Sequence, residues 1–291
     1  MKIQMAVSLC SKHELSQLDY ALESILEKTK HDIDCTLFLS RYSDYLHDSC
    51  AKIAEKFNIS YEPRGDNCVI DYNNEMKYKA FEHNNADTMF TIQPDTVFLK
   101  KDVFDTVVDE ASQYFDEKFY VCVSSDLPDD TSPLGMVFHT KLGWEKIGCE
   151  DINFYPQAGG EHDCHRRSYL AWGGDPWDKE AYTAPLEGRI DAPWCHRIRC
   201  KDFMHVGKPW HSLDPRLETK RNLDYALQLF FESVLDECWG AYYAEKWGAV
   251  QKKERFIYPF DEEKYGYRIP WETSRNPYPE VRYRSLRGLI I

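Results

Sequence analysis

Apolar residues recur in two alternating rhythms along the first 125 positions. Residues 2–9 (KIQMAVSL) form a short, largely apolar run suited to a buried parallel strand. Leu15, Leu18, Ala21, Leu22, Ile25 and Leu26 then repeat at helical spacing across 15–28. The alternation continues with strand 34–40, helix 43–57 with Ser43 as its N-cap, strand 59–62 and helix 71–83. Strand 88–92, helix 102–115 and strand 119–125 complete it. Such a series predicts an α/β fold with a mostly parallel, Rossmann-like central sheet and helices on both faces. Ligands of such sheets bind beyond the carboxyl ends of the strands, which directs attention to the loops after Leu9, Ser40, Ile92 and Ser125.

No Gly-x-Gly-x-x-Gly or Walker sequence follows the first strand, so the dinucleotide and P-loop readings lose their main support. From Asp126 to residue 215 Pro, Gly, Trp and Asp become frequent and strands are short, the texture of an elaborated binding region. Helical spacing returns between Leu217 and Trp247 at Leu223, Ala226, Leu227, Phe230, Phe231, Val234 and Leu235. The predicted organisation is one unit over 1–215, in halves 1–125 and 126–215. A helical and irregular C-terminal extension over 216–291 packs on it.

Charge narrows the partners. A formal net charge of −13 argues against holding nucleic acid by bulk electrostatics. One stretch is locally basic: Arg166, Arg167, Arg189, Arg197, Arg199, Lys201, Lys208, Arg216, Lys220 and Arg221. A solvated face is the favoured reading, and a footprint for DNA with modified bases the less favoured one. The ten cysteines are scattered, several inside apolar runs, and no leader precedes the first strand. They read as reduced thiols in a cytosol-like compartment, and no apolar run approaches a membrane span. A soluble, cytoplasmic protein is expected. Eight Trp, 19 Tyr and 15 Phe add weak support for carbohydrate stacking.

Candidate chemistry starts at Ile92-Gln93-Pro94-Asp95-Thr96. A carboxylate just past a strand end, after a proline, suits a divalent cation bridging two phosphates; Pro-Asp is equally turn chemistry. Residues 88–106 resemble the segment of GT-A glycosyltransferases, family-2-like and especially rhamnosyltransferase-like, that runs strand, Asn-Pro-Asp-Thr, helix. Gln93 stands here for the asparagine, and only the last carboxylate of the wider superfamily's Asp-x-Asp motif is kept.

The resemblance extends through Gly143-Trp144-Glu145-Lys146-Ile147-Gly148, Gly159-Gly160-Glu161-His162-Asp163, Arg166-Arg167 and Gly173-Gly174, similar to that family's acceptor-side block. It implies that a carboxylate of the acidic turn takes the acceptor hydroxyl's proton: Asp163 first, then Glu161, with His162 a third candidate. An acidic N-terminal turn on a helix over 162–172 is the plain structural reading. The family often supplies a late histidine to the metal, which here implies His205 or His211 beside Asp95. Tyr242-Tyr243-Ala244-Glu245-Lys246-Trp247-Gly248 with Tyr258-Pro259-Phe260 resembles the ending of several members; core packing is the expected role.

The implied reaction is transfer of a sugar, with inversion, from a nucleotide-diphosphate sugar to a carbohydrate or other hydroxyl acceptor, with Mn²⁺ or Mg²⁺. Donor contacts are expected from Ser8 and Cys10 after the first strand, Arg41 and Asp44 after the second, and Arg64 and Asn67 after the third. Gln93 and Asp95 complete the donor set after the fourth. Competing readings are a nucleotidyltransferase, which lacks its Gly-rich basic loop here, and a non-catalytic carbohydrate-binding relative. A zinc site from Cys164, His165, Cys195, His196 and Cys200 lacks a Cys-x2-Cys knuckle.

Overall fold

The computed structural model describes residues 1–9, 12–40, 43–64, 69–94, 96–100, 102–125, 136–154, 160–178, 181, 192–205 and 240–274. Seven strands form one sheet: β1 (Lys2–Leu9), β2 (Asp32–Leu39), β3 (Ser60–Pro63), β4 (Thr88–Ile92), β6 (Tyr120–Ser125), β7 (Met136–Thr140) and β8 (Cys195–Cys200). Their order is β3-β2-β1-β4-β7-β6-β8. All are parallel except β7, which runs against both β4 and β6. The mostly parallel sheet predicted from the sequence is therefore present, with one antiparallel strand in it.

Side-chain alternation along the strands separates two faces. Ile3, Met5, Val7 and Leu9 of β1, with Cys35, Leu37 and Leu39 of β2, pack with α1 (Lys12–Leu26), α2 (Asp44–Phe57) and α4 (Val103–Ser112). Ala6 and Phe38 point the other way, against α3 (Val69–Tyr78) and Trp144 of α5 (Lys141–Ile147). Helices cover both faces, which is why the strands are nearly continuous apolar runs.

Ser43 caps α2 as expected, its hydroxyl accepting from the Leu46 N–H at 3.3 Å, and Asn58 ends the helix in the left-handed region at φ 52°. The antiparallel β7 and α5 were not predicted. Nor was a separate two-stranded arm in which β5 (Thr96–Phe98) pairs with β9 (Phe203–His205). Three-residue strands carry too little periodicity to stand out in a sequence.

α6 (Gly160–Ala171) packs by the amino-terminal starts of β6 and β8. Cys164 and His165 near its beginning meet Tyr120 and Trp194, and Tyr169 and Trp172 at its far end meet Trp194 and Phe119. Residues 240–247 are helical (α7) and bury Tyr242, Tyr243 and Trp247 in a cluster with Phe154, Tyr169, Leu170 and Trp194. The expected boundary at 215 lies outside the described residues. Among the described residues no helix is long and apolar enough to cross a membrane, and the seven cysteines are free thiols.

The Ser43 cap sets where α2 begins, at the mouth of the second carboxyl-edge loop. Ser43→Ala is expected to cost about 1 kcal/mol, read as a lower urea midpoint with an unchanged slope. An unchanged midpoint would mean that the cap contributes nothing.

Candidate functional site

The carboxyl ends of four parallel strands lie side by side. Leu9 is level with Leu39, Leu39 with Pro63, and Val7 with Ile92. Every loop expected to hold the donor leaves this edge. Cys10, Arg41, Asn67 and Asp95 lie outside the described residues, but their flanks are fixed. Ser8 and Ser40 share a hydroxyl–hydroxyl hydrogen bond of 2.5 Å across the ends of β1 and β2, and Ser40 is fully buried. Asp44 is exposed in the first turn of α2, next to its cap.

Arg64 is engaged rather than open. Its guanidinium donates to Glu62 at 3.1 Å and to Glu75, and it lies over the Tyr72 ring. Lys79 bonds Glu75 at 3.0 Å. Burial would raise the Glu75 carboxyl, but Lys79 and Arg64 outweigh it and hold the group below its ordinary value. An arginine clamped between two carboxylates orders the end of β3; as a reader of phosphate it starts from a neutralised state.

Gln93 is exposed and Pro94 buried at the end of β4. The Thr96 N–H donates to the Gln93 carbonyl at 3.1 Å, and its hydroxyl donates to the same oxygen at 2.6 Å, closing a turn over 93–96. The turn chemistry expected at Pro94 is thus present, and Asp95 itself lies outside the described residues. The β5–β9 register sets Thr96 opposite His205, Val97 opposite Met204 and Phe98 opposite Phe203. This brings the backbone of His205 beside the residue that follows Asp95. The arm is secured by the Phe98–Phe203 ring contact at 5.1 Å and by the Phe98 N–H donating to Ser24 Oγ at 3.2 Å. His211 lies outside the described residues.

The acceptor-side block departs most from expectation. Asp163, the first choice for the base, is fully buried. Its Oδ2 accepts from Arg167 Nε at 2.8 Å; its Oδ1 takes Lys246 Nζ at 2.8 Å and Trp247 Nε1 at 2.9 Å. Lys246 Nζ also bonds Asp151 Oδ2 at 2.7 Å, and that oxygen accepts from Tyr242 Oη at 2.6 Å. Arg167 donates further to the carbonyls of Ile147 and Cys149. Two carboxylates and two cations form a buried, charge-neutral cluster. Burial pushes Asp163 up, but Lys246 and Arg167 prevail and hold it below the ordinary aspartate value. A carboxylate with both oxygens engaged by cations has no face left for a sugar hydroxyl. The first turn of α6 still carries two other candidates. His162 is half-buried, with Nδ1 2.7 Å from the Gln251 side-chain amide. Glu161, two residues before Asp163, is the other.

Asp151, Arg167, Lys246 and Trp247 were not singled out as site residues. The Lys246-Trp247 pair was quoted from the sequence as a packing motif, and its partner could not be read there. Arg166 and Arg167 are fully buried, so two members of the basic stretch are internal anchors rather than a surface for nucleic acid. The zinc candidates separate as well: Cys164 Sγ meets Tyr120 Oη at 3.0 Å, Cys195 Sγ meets Cys122 Sγ at 3.4 Å, and His196 stacks on Tyr114. Among the described residues no three His, Cys, Asp or Glu side chains are grouped to hold a metal ion.

Lys246→Met leaves two buried carboxylates facing each other and is expected to cost about 3–5 kcal/mol at pH 7, read by urea unfolding. Because the folded Asp163 value is depressed, its contribution is complete above the unfolded value of about 4 and is lost as pH falls through the folded value. Asp163→Asn should therefore be less stable than the parent at pH 7, and the gap should narrow below about pH 4. A gap independent of pH would exclude the ion cluster as its source.

No family model matches the sequence, and no curated protein matches it. Among solved structures, the chain is similar to residues 1–349 of Staphylococcus aureus TarS in complex with UDP, at 11% identity over 59% of this chain and 56% of that one, TM-score 0.42. It is similar to the mannosyltransferase PcManGT of Pyrobaculum calidifontis in complex with GDP-Man and Mn²⁺, at 13% identity over 59% and 52%, TM-score 0.40. It is also similar to mouse xyloside xylosyltransferase 1, at 7% identity over 69% and 86%, TM-score 0.39. The chain thus spans little more than half the length of the first two. These are distant, partial likenesses of backbone, and the chemistry rests on the residues described above.

Proposed function

We propose that the chain is a glycosyltransferase of the GT-A class that moves a sugar from a nucleoside-diphosphate sugar to an acceptor hydroxyl, with inversion. The observation that carries the reading is the β5–β9 arm. It sets His205 across from Thr96, one residue beyond Asp95, at the same carboxyl edge that the donor loops leave.

Asp95, next to Thr96, and His205, opposite Thr96 in the β5–β9 register, would supply an oxygen and a nitrogen donor, with the exposed Gln93 offering a further oxygen. That set fits Mn²⁺ or Mg²⁺. A cation held there would supply charge neutralisation to the leaving diphosphate. Ser8 and Asp44, with Cys10, Arg41 and Asn67 in the loops between, are the groups proposed to meet the nucleotide. Arg64 orders the end of β3.

The chain's own part is orientation and proton handling. A sugar hydroxyl becomes a competent nucleophile when its proton leaves in the transition state. With Asp163 committed to the ion cluster, the first turn of α6 offers Glu161 and His162 for that proton. The cluster fixes the turn from behind, and the resulting preorganisation is the main service of residues 240–274. Attack in line with the departing diphosphate inverts the anomeric centre. The free thiols suit a reducing, cytosol-like compartment.

The test is thermal shift against uridine, guanosine, cytidine, adenosine and thymidine diphosphates, with and without Mn²⁺. One diphosphate is expected to raise the melting temperature, more so with metal. Asp95→Ala should abolish the metal's increment while Asp44→Ala weakens binding with or without it. No shift with any diphosphate would sink the proposal.

A further inference from the structure

Two indoles stand in solvent on the segment that leaves α6. Trp172 is 41% and Trp177 56% exposed, whereas Trp144, Trp194 and Trp247 are buried. Among the described residues these two are the exposed tryptophans, and they lie five residues apart on one turn. Large apolar surface left in water at one place calls for a partner.

The turn is built to hold still. The Gly173 N–H donates to the Leu170 carbonyl and the Gly174 N–H to the Tyr169 carbonyl, both at 3.0 Å, with Gly173 at φ +94°. At Gly174 an added Cβ would lie 2.3 Å from the Tyr169 ring, so the chain rests directly on that ring. Asp175 Oδ1 accepts from the Trp177 N–H at 2.9 Å, and the Asp175 carbonyl from the Asp178 N–H at 3.0 Å. Asp178 Oδ1 accepts in turn from the Ala181 N–H at 3.2 Å. Trp172 is steadied from the sheet: its ring meets Phe119 at 5.4 Å and 73°. Lys118 Nζ lies 5.3 Å from the ring centre and donates to the Pro193 carbonyl at 2.8 Å. Little conformational freedom is left to lose when a ligand settles on such a turn.

Three kinds of partner use exposed indoles, and the charges choose between them. Single-stranded nucleic acid stacks its bases on aromatic rings but needs a basic groove for its backbone. This turn carries Asp175 and Asp178 on a chain of net charge −13. A protein interface keeps carboxylates out of the core around its aromatic anchors. Here both aspartates are exposed beside Trp177, and from His162 to Asp178 no other large apolar side chain is exposed. A sugar matches both features. Its C–H face is apolar and weakly positive and lies on the negative face of an indole. Its rim of hydroxyls donates to carboxylates, and each of these aspartates commits one oxygen, Oδ1, to the turn.

We infer that the Trp172–Asp178 turn is a glycan-binding platform that takes an uncharged oligosaccharide chain. Trp172 touches Phe119 and Lys118, just ahead of β6, so the platform lies at the amino edge of the sheet. The six residues of β6 separate it from the carboxyl edge by about 20 Å. Binding at the turn is independent of what the carboxyl edge holds. Its use as an anchor for the acceptor rests on the glycosyltransferase reading above. A single sugar is too short to touch both places, so that acceptor is a chain of several sugars.

The experiment is affinity electrophoresis of the full-length protein in native gels cast with soluble neutral polysaccharides: an α-glucan, a β-glucan, a mannan, a galactan and a xylan. At least one is expected to retard the protein. Trp177→Ala should weaken that retention about tenfold or more, with its urea midpoint unchanged because the ring lies mostly in solvent. Trp177→Phe should keep part of the retention, and Trp172→Ala should lose less than Trp177→Ala. No retardation in any gel, or retardation indifferent to Trp177→Ala, overturns the inference. So does a dimer in sedimentation, or a shift of oligothymidylate, that depends on Trp177 while the polysaccharides have no effect. Retardation without diphosphate binding would fault the glycosyltransferase reading alone, and diphosphate binding without retardation would fault the platform alone.

Discussion

The Lys246 ammonium, fully buried between Asp151 and Asp163, is the interaction on which the packing of α6 with α7 depends. A buried charge is tolerable only when paired and hydrogen-bonded, and here every partner is itself held. Tyr242 and Asn153 bond Asp151, Trp247 and Arg167 bond Asp163, and backbone carbonyls take the rest of Arg167. A cluster of this kind contributes less net stability than an apolar core of the same volume, but it admits one arrangement. It locks the turn at 151–154 and the first turn of α6 to α7, which lies far along the chain from both.

The carboxyl edge of the sheet is organised differently. There the backbone does the positioning: four parallel strands end nearly level, a closed turn follows β4, and the β5–β9 arm ties that turn to the chain beyond β8. Thr96 opposite His205 thus ties the chain just after β4 to the chain beyond β8. A nucleotide seated on the edge and an acceptor at α6 would be held by parts that pack on the same sheet. Preorganisation by rigid elements on both sides reduces the motion needed to bring reacting groups together.

The first four strands and four main helices were legible because each buries one regular stripe: Ile3, Met5, Val7 and Leu9 on β1, or Leu18, Leu22 and Ile25 on α1. β5, β7 and β9 were not, being short pieces recognisable only by their partners. α6 was legible as a helix over 162–172, but the face it buries was not. Its buried face includes Asp163, Arg166 and Arg167 beside Leu170, so no apolar stripe marks it and its charges suggest solvent. For that reason the basic stretch could pass for a surface, and Asp163 could pass for a base. The motif Lys246-Trp247 was visible as a motif, but what it neutralises lies 83 and 95 residues upstream of Lys246, a relation no local pattern contains.

The central claim is that the carboxyl edge holds a nucleoside diphosphate next to the Asp95 turn. Amide hydrogen exchange with and without a bound diphosphate and Mn²⁺ tests this most directly. The account predicts slowed exchange in peptides covering the ends of β1, β2, β3 and β4 and the β5–β9 arm, with the amino-edge turns after α1 and before β4 unchanged. Protection confined to the amino edge, or to residues 240–274 without the strand ends, would contradict it.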